Sequence, residues 1–327
     1  NPGLAALIDE RLGPTWRRNL DQLAALREYQ HDAGFMQRFR AVKRQNKEGL
    51  ARYVSERLCI ELNPDALFDV HVKRMHEYKR QLLNLLHVVT RYQAILAQPD
   101  TDWVPRVVIF AGKSASAYQF AKLIIHLIND VATTINNDPR IGDRLKVVFL
   151  PNYRVSLAER IIPAADLSEQ ISTAGTEASL TIGTLDGANV EIREQVGEDN
   201  IFIFGHTTDE VADIRARGYP PRSYYDSDPA LKAALDAIRD GVFSPGDPGR
   251  YHQVFDVLVN WGDHYLLLAD YASYVAAQHR VDAAFRDAED WSRRALLNVA
   301  GMGAFSSDRT IAEYASTIWH TAPVSMT

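Results

Sequence analysis

The densest chemistry in the sequence is Lys73-Arg74-Met75-His76-Glu77-Tyr78-Lys79-Arg80, four lysines or arginines and a histidine within eight residues. The run follows a strand-like segment and is expected to cover the first turn of the helix after it. The exposed amides of a helix start are partially positive, so cations packed there are unfavourable unless an anion joins them. Phosphate suits such a place, because amides and cations both bind its oxygens. The bland reading is a solvated basic helix face. The anion site is the stronger one, because the chain as a whole carries a net charge of −6. That overall charge disfavours nucleic acid and anionic membrane as partners, so a cationic cluster must be a local feature.

Two further segments have site-like composition. Asn152-Tyr153-Arg154-Val155-Ser156 offers a ring to pack on a planar ligand beside another cation, or else simply a helix start capped by Ser156. Ser168 to Ser179 is too small and polar for core, and its Glu169 and Glu177 resemble the paired glutamates of two-domain retaining sugar transferases of the GT-B type. Gly112-Lys113-Ser114 is not a nucleotide P-loop, since the glycine required five positions earlier is Val107. The histidines show no metal-ligand spacing. His71 and His76 lie too near the basic run to favour a divalent cation, and His126, His206, His252 and His264 read as structural or exposed. No metal is expected.

These segments need a scaffold that sets them at one edge. Leu67–Val72 reads as a strand, and a helix is expected from Glu77 to Gln98. Apolar runs at 106–110, 146–150, 180–184 and 201–204 alternate with helix patterns at 118–135 and 189–195. Apolar runs separated by helices imply an α/β fold, a doubly wound parallel sheet with flanking helices. Ligands then bind beyond the carboxyl ends of the strands, at the turns after Val72, Phe110, Leu150 and Thr184. Residues 4 to 58 read as helices only, and 209 to 326 as mostly helical, broken at Pro220-Pro221 and Pro245–Gly249. The expected division is a helical lead-in, 1–66, and a Rossmann-like domain with a helical C-terminal part, 67–327.

The chain has 327 residues, 46% hydrophobic and 24% charged, which is ordinary for a folded protein large enough to need no staples. Cys59, the single cysteine, is expected to be a small buried apolar residue. No stretch is long and apolar enough for a membrane span and no signal peptide is visible, so the expected location is cytoplasmic. Asn1-Pro2-Gly3 runs straight into a helix pattern without an initiator methionine and reads as an internal point of a longer chain.

Taken together, Phe68–Asn84, Asn152–Glu159, Ala164–Ser179, Leu180–Glu191 and Phe305–Ile311 resemble the α-glucan phosphorylase family, the likeness running from Asn1 to about Trp319. The resemblance implies the C-terminal, GT-B-type domain of such an enzyme, without the N-terminal domain that completes its cleft. It implies pyridoxal phosphate as cofactor, with α-1,4-glucan and inorganic phosphate as substrates and glucose 1-phosphate as product. A homodimer is implied for the full-length protein, with neither nucleic acid nor membrane as partner. By resemblance, Arg74 and Lys79 hold the substrate phosphate, Lys73 faces the cofactor phosphate, and Tyr153 and Arg154 lie against the cofactor. Tyr78, Glu177 and Ser179 contact the sugar.

One departure stands out. After Glu-Ala-Ser the family continues with a glycine-rich stretch bearing Asn-Met-Lys, whose lysine forms the Schiff base. Here Leu180 follows Ser179 directly, and no lysine lies between Lys146 and Lys232. Either a mobile loop is missing from the sequence in hand or the stretch is deleted, in which case strain is expected at the junction. As it stands the chain is expected to be inactive. The alternatives are a nucleotide-sugar glycosyltransferase of the same fold and a cofactor-free structural or binding module.

Overall fold

The computed structural model describes residues 1–171 and 179–322. Six strands form an all-parallel sheet: β1 (Leu67–Val72), β2 (Arg106–Ala111), β3 (Leu145–Leu150), β4 (Leu167–Gln170), β5 (Leu180–Thr184) and β6 (Ile201–Phe204). Their spatial order is β3-β2-β1-β4-β5-β6. The chain winds outward from β1 in one direction and returns to wind outward in the other. The order therefore reverses between β1 and β4, where doubly wound folds open a crevice.

Burial on both faces explains the continuous apolar runs. Phe68, Val70, Val107 and Ile109 point to one side, against α2 (Ala33–Leu58) and α5 (Val155–Ala164). Leu67, Val108, Phe110, Leu180 and Ile182 point to the other, against α3 (Gln81–Ala97) and α4 (Gln119–Asn137). In α4, Phe120, Ile124, Leu127, Ile128, Val131 and Ile135 recur at helical spacing and are all buried. Each such side chain contributes roughly 1.5–3 kcal/mol on leaving water.

Preceding α2 is α1 (Pro2–Leu12), and α6 (Ala188–Val196) joins β5 to β6. The C-terminal helices are α7 (Thr208–Ala216), α8 (Pro221–Ser227), α9 (Pro229–Arg239), α10 (His252–Phe255), α11 (Leu267–Phe285), α12 (Ala288–Gly301) and α13 (Ser307–Thr317). Leu296 and Val299 of α12 share a core with Leu7, Ile8, Leu26 and Phe35, so the first helices are sealed by the last part of the chain.

Three expectations need correction. The helix after β1 begins at Gln81 rather than Glu77: residues Glu77–Lys79 form a separate 3-10 turn, and Arg80 is left-handed (φ 53°) between the two. Cys59 is exposed, because it is the left-handed C-cap of α2 (φ 54°) and its side chain leaves the packed face. Ser168 to Gln170, the start of the Ser168–Ser179 segment read as too polar for core, lie in the fully buried strand β4. Its polar side chains are buried because partners meet them: Tyr274 and Gln278 both donate to the Glu169 carboxylate, at 2.9 and 2.7 Å.

Candidate functional site

At the reversal point β1 ends in Lys73 and β4 in Gln170, and the Lys73 ammonium donates to the Gln170 side-chain oxygen across the gap. The loop beyond Val72 is held by backbone bonds to the neighbouring β2 loop: Lys73 N–H donates to Ala111 O and Met75 N–H to Lys113 O, both at 3.0 Å. The two loops run so close that a Cβ on residue 112 would lie 2.1 Å from the Lys73 carbonyl oxygen. Only glycine fits there, which accounts for Gly112 without any nucleotide. Lys113, dismissed with the absent P-loop, is an exposed cation beside the basic loop.

Past Met75, which is buried, the run divides by role. Arg74 is exposed, Tyr78 is 37% exposed, and Lys73 and Lys79 are half-buried. The Tyr78 ring lies 4.5 Å from the His76 ring, and the Lys79 ammonium sits 5.5 Å from the Tyr78 centroid. Among the described residues neither Arg74 nor Lys79 forms an ion pair, whereas buried Arg80 is bound to Asp270 of α11 at 2.6 Å. Arg80 also donates to Ile171 O at 2.6 Å, which ties the end of β4 to α11. The basic run therefore supplies two outward cations, Arg74 and Lys79, a third, Lys73, held by Gln170, and one structural one.

Asp270 is a hub that the sequence did not disclose. Besides Arg80 it accepts from the backbone and ring nitrogens of His206, at 2.9 and 2.7 Å, just beyond β6. Thr184 at the end of β5 donates to Ile171 O at 2.7 Å, and Asn189 donates to Gln170 O and Thr184 O at 2.9 and 2.8 Å. Burial pushes the nearby Asp186 carboxyl above its ordinary range. The hydrogen bond from Thr184 and the cations of Arg80 and Lys73 pull the other way. The carboxyl ends of β1, β4, β5 and β6 thus form one braced rim around the outward cations.

Tyr153 and Arg154 follow β3, two strands from β1, or about 10 Å along the sheet edge at ordinary strand spacing. Arg154 is the N-cap residue of α5; its Nε donates to Ser156 Oγ at 2.9 Å, and Ser156 caps nothing. Lys73, Arg74, Tyr78, Lys79, Tyr153 and Arg154 therefore share one end of the sheet. Ser179 does not join them. It directly precedes β5, beside Asp166, at the amino ends of the strands. Glu177 lies outside the described residues.

Glu169 is not at the rim either. It belongs to a buried polar layer beneath the sheet, where Arg106 bonds Asp69 and Asp282 at 2.8 Å each and Arg91 bonds Asp282 at 2.6 Å. Burial and then the charge of Asp69 push the Glu169 carboxyl well up. Burial also raises Asp69, with Arg106 opposing it. Asp282 is held down at about 2, because Arg106 and Arg91 outweigh its burial. Burial, followed by the cation of Lys73, keeps the His71 ring well below its ordinary range, so it is neutral.

The phosphate half of a pyridoxal phosphate fits this rim, which gathers cations at a switch point. The aldehyde half does not fit, because no lysine between Lys146 and Lys232 is available to bind it and Lys73 is committed to Gln170.

Comparison with known proteins agrees with the geometry. The family model for carbohydrate phosphorylases matches residues 1–321. The glycogen phosphorylase of Haemophilus influenzae is 53% identical over 338 positions, covering 100% of this chain and 41% of that protein. That of Synechocystis is 53% identical over 336 positions, covering 99% and 40%. The muscle form from Oryctolagus cuniculus is 48% identical over 335 positions, also covering 99% and 40%. The chain therefore spans about two-fifths of the length of the curated relatives it matches. A match of 338 positions to 327 residues leaves at least 11 positions of the Haemophilus protein without a counterpart here. With its doubly wound sheet, its cationic rim at the switch point and a family match along nearly its whole length, the chain belongs to the carbohydrate phosphorylase family.

Proposed function

We propose that this chain is the phosphate-binding lobe of an α-glucan phosphorylase, which in the full-length protein cleaves α-1,4-glucan ends with inorganic phosphate and releases glucose 1-phosphate. The observation that carries this reading is the pair Arg74 and Lys79, outward cations with no ion pair among the described residues, on a loop fixed by the Lys73–Ala111 and Met75–Lys113 bonds. A phosphate dianion between them offsets their mutual repulsion, and charge-assisted hydrogen bonds to it contribute roughly 1.5–3 kcal/mol each.

In the net reaction a phosphate oxygen bonds to the anomeric carbon and the glycosidic C–O bond breaks. The departing 4-oxygen takes the proton that the phosphate carried. Arg74 and Lys79 hold the phosphate in line and stabilise its charge, Lys73 keeps the floor of the site cationic, and Tyr78 meets the sugar. Tyr153 and Arg154 are assigned to the cofactor side, and Glu177 and Ser179 to the glucosyl hydroxyls. Ser179 can serve there only with a longer link between β4 and β5. No step is assigned to pyridoxal phosphate, because the residues present do not anchor it, and the chain by itself is proposed to bind phosphate without turning over.

The lead-in 1–66 and the α/β body 67–327 form this lobe, and a preceding N-terminal domain supplies the facing wall, in a homodimeric, cytoplasmic protein. No helix among the described residues is long and apolar enough to cross a membrane. The test is to incubate the full-length protein, with the relatives' additional stretch restored, with a maltodextrin and inorganic phosphate. Phosphate-dependent glucose 1-phosphate of retained configuration is expected, and none from the chain alone. Transfer that requires a nucleotide sugar would instead establish the glycosyltransferase reading, which the names of the relatives do not favour.

A further inference from the structure

Lys113 belongs to a segment that is not a nucleotide loop, yet it stands at the cationic end of the sheet, two residues after β2. Strands β1 and β2 pair in parallel, with Val72 opposite Ala111. Their backbone pairing continues past both strands. Lys73 N–H donates to Ala111 O and Met75 N–H to Lys113 O, both at 3.0 Å, the alternation of a parallel ladder. In that register Gly112 lies opposite Lys73, and Lys113 lies opposite Arg74. The chains are pressed together just before the two cations, since a Cβ on residue 112 would lie 2.1 Å from the Lys73 carbonyl oxygen.

Like charges set opposite each other on neighbouring strands are destabilising unless something neutralises them. No side chain of the protein does so here. Arg74 and Lys113 are both exposed, and among the described residues neither side chain forms an ion pair or a hydrogen bond. Residues 112–129 contain no aspartate or glutamate. The one carboxylate of the basic run, Glu77, accepts from the Tyr118 hydroxyl instead. Arg80, by contrast, is buried against Asp270 at 2.6 Å. A merely solvated lysine needs no partner either, but it has no reason to be held opposite a second unpaired cation by two backbone bonds.

We infer that Lys113 is a further phosphate-binding residue, which with Arg74 extends the anion site from the end of β1 onto the loop after β2. Neighbouring chains in a sheet lie about 4.8 Å apart, so one phosphate can meet both side chains. The close approach at Gly112 is what brings the second cation within reach. The inference rests on the phosphate-site reading above and adds to it a cation from a second loop.

The test is a calorimetric titration of inorganic phosphate into the unaltered chain and into its Lys113→Ala, Lys113→Arg and Arg74→Ala variants. It is run at physiological salt, where distant exposed charges are screened and direct contacts remain. Lys113→Ala should bind phosphate about 10-fold more weakly, the lower end of one charge-assisted contact. Lys113→Arg, which keeps the charge, should retain most of the affinity. Without phosphate Lys113→Ala should melt no lower than the unaltered chain, and the rise in melting temperature that phosphate brings should shrink. Unchanged affinity in Lys113→Ala beside weakened binding in Arg74→Ala overturns the inference and leaves the phosphate-site reading in place. A loss as large in Lys113→Arg, or a lower melting point of Lys113→Ala without phosphate, also overturns it. Absence of phosphate binding by the unaltered chain overturns both.

Discussion

Two groups of cations near the central strands have opposite fates. Beneath the sheet, Arg106 and Arg91 are enclosed by Asp69 and Asp282, all of them buried or nearly so. At the carboxyl end, Arg74 and Lys79 point outward and no ion pair among the described residues neutralises them. Residue type is the same in both places. What differs is whether the protein supplies the counter-charge itself or leaves it to a ligand. The first arrangement is structural, since breaking a buried pair strands a charge in low dielectric. The second has little structural value, because exposed charges contribute almost nothing to stability. A count of lysines and arginines cannot separate the two; their partners can.

The contrast is broken most severely at Arg106. Arg106→Met leaves Asp69 and Asp282 with one buried cation fewer and should cost about 3–5 kcal/mol in urea unfolding. A loss under 1 kcal/mol would mean that the layer is not held by that pair. Next in size is Gly112→Ala, whose Cβ would meet the Lys73 carbonyl at 2.1 Å. It should cost roughly 1–3 kcal/mol and weaken phosphate binding as well, because the basic loop must shift. Unchanged affinity would show that the loop bonds do not position the cations.

Arg74→Ala sharpens the other side. Phosphate affinity should fall about 10- to 100-fold, the equivalent of one charge-assisted contact, while the unfolding free energy in urea changes by no more than about 0.5 kcal/mol. A variant that loses stability instead would place Arg74 with Arg106.

The smallest effect concerns pH. The folded state raises the Glu169 carboxyl, chiefly by burial, so its proton is bound more tightly folded than unfolded. That contribution is fully present below the unfolded value, near 4.5, and is lost as pH rises toward the folded value. Glu169→Gln removes the titration. Unfolding free energy measured from pH 4 to 8 should then decline less steeply with pH than in the parent protein. Identical slopes would show that Glu169 releases no proton on unfolding.

Strands β1, β2 and β3 were legible as short, mostly apolar segments, that of β2 bounded by Pro105 and Gly112. Strand β4 was not, since Ser168, Glu169 and Gln170 are polar, and only the distant Tyr274 and Gln278 make their burial tolerable. Composition cannot show such partners. The cationic end of the sheet was legible as a place, from basic residues directly after a strand. Its division of labour was hidden: the left-handed turn at Arg80 directs that side chain inward to Asp270, 190 residues away. Where Ser179 lies, directly before β5 and beside Asp166, was not legible from composition.

The most direct test of the account is a calorimetric titration of inorganic phosphate into the chain and into its Arg74→Ala/Lys79→Ala double variant, at low and at physiological salt. The account predicts binding by the unaltered chain that weakens with salt and falls at least about 100-fold in the double variant, at unchanged unfolding free energy. Phosphate binding of equal strength in both proteins would contradict the assignment of the outward cations as the phosphate site.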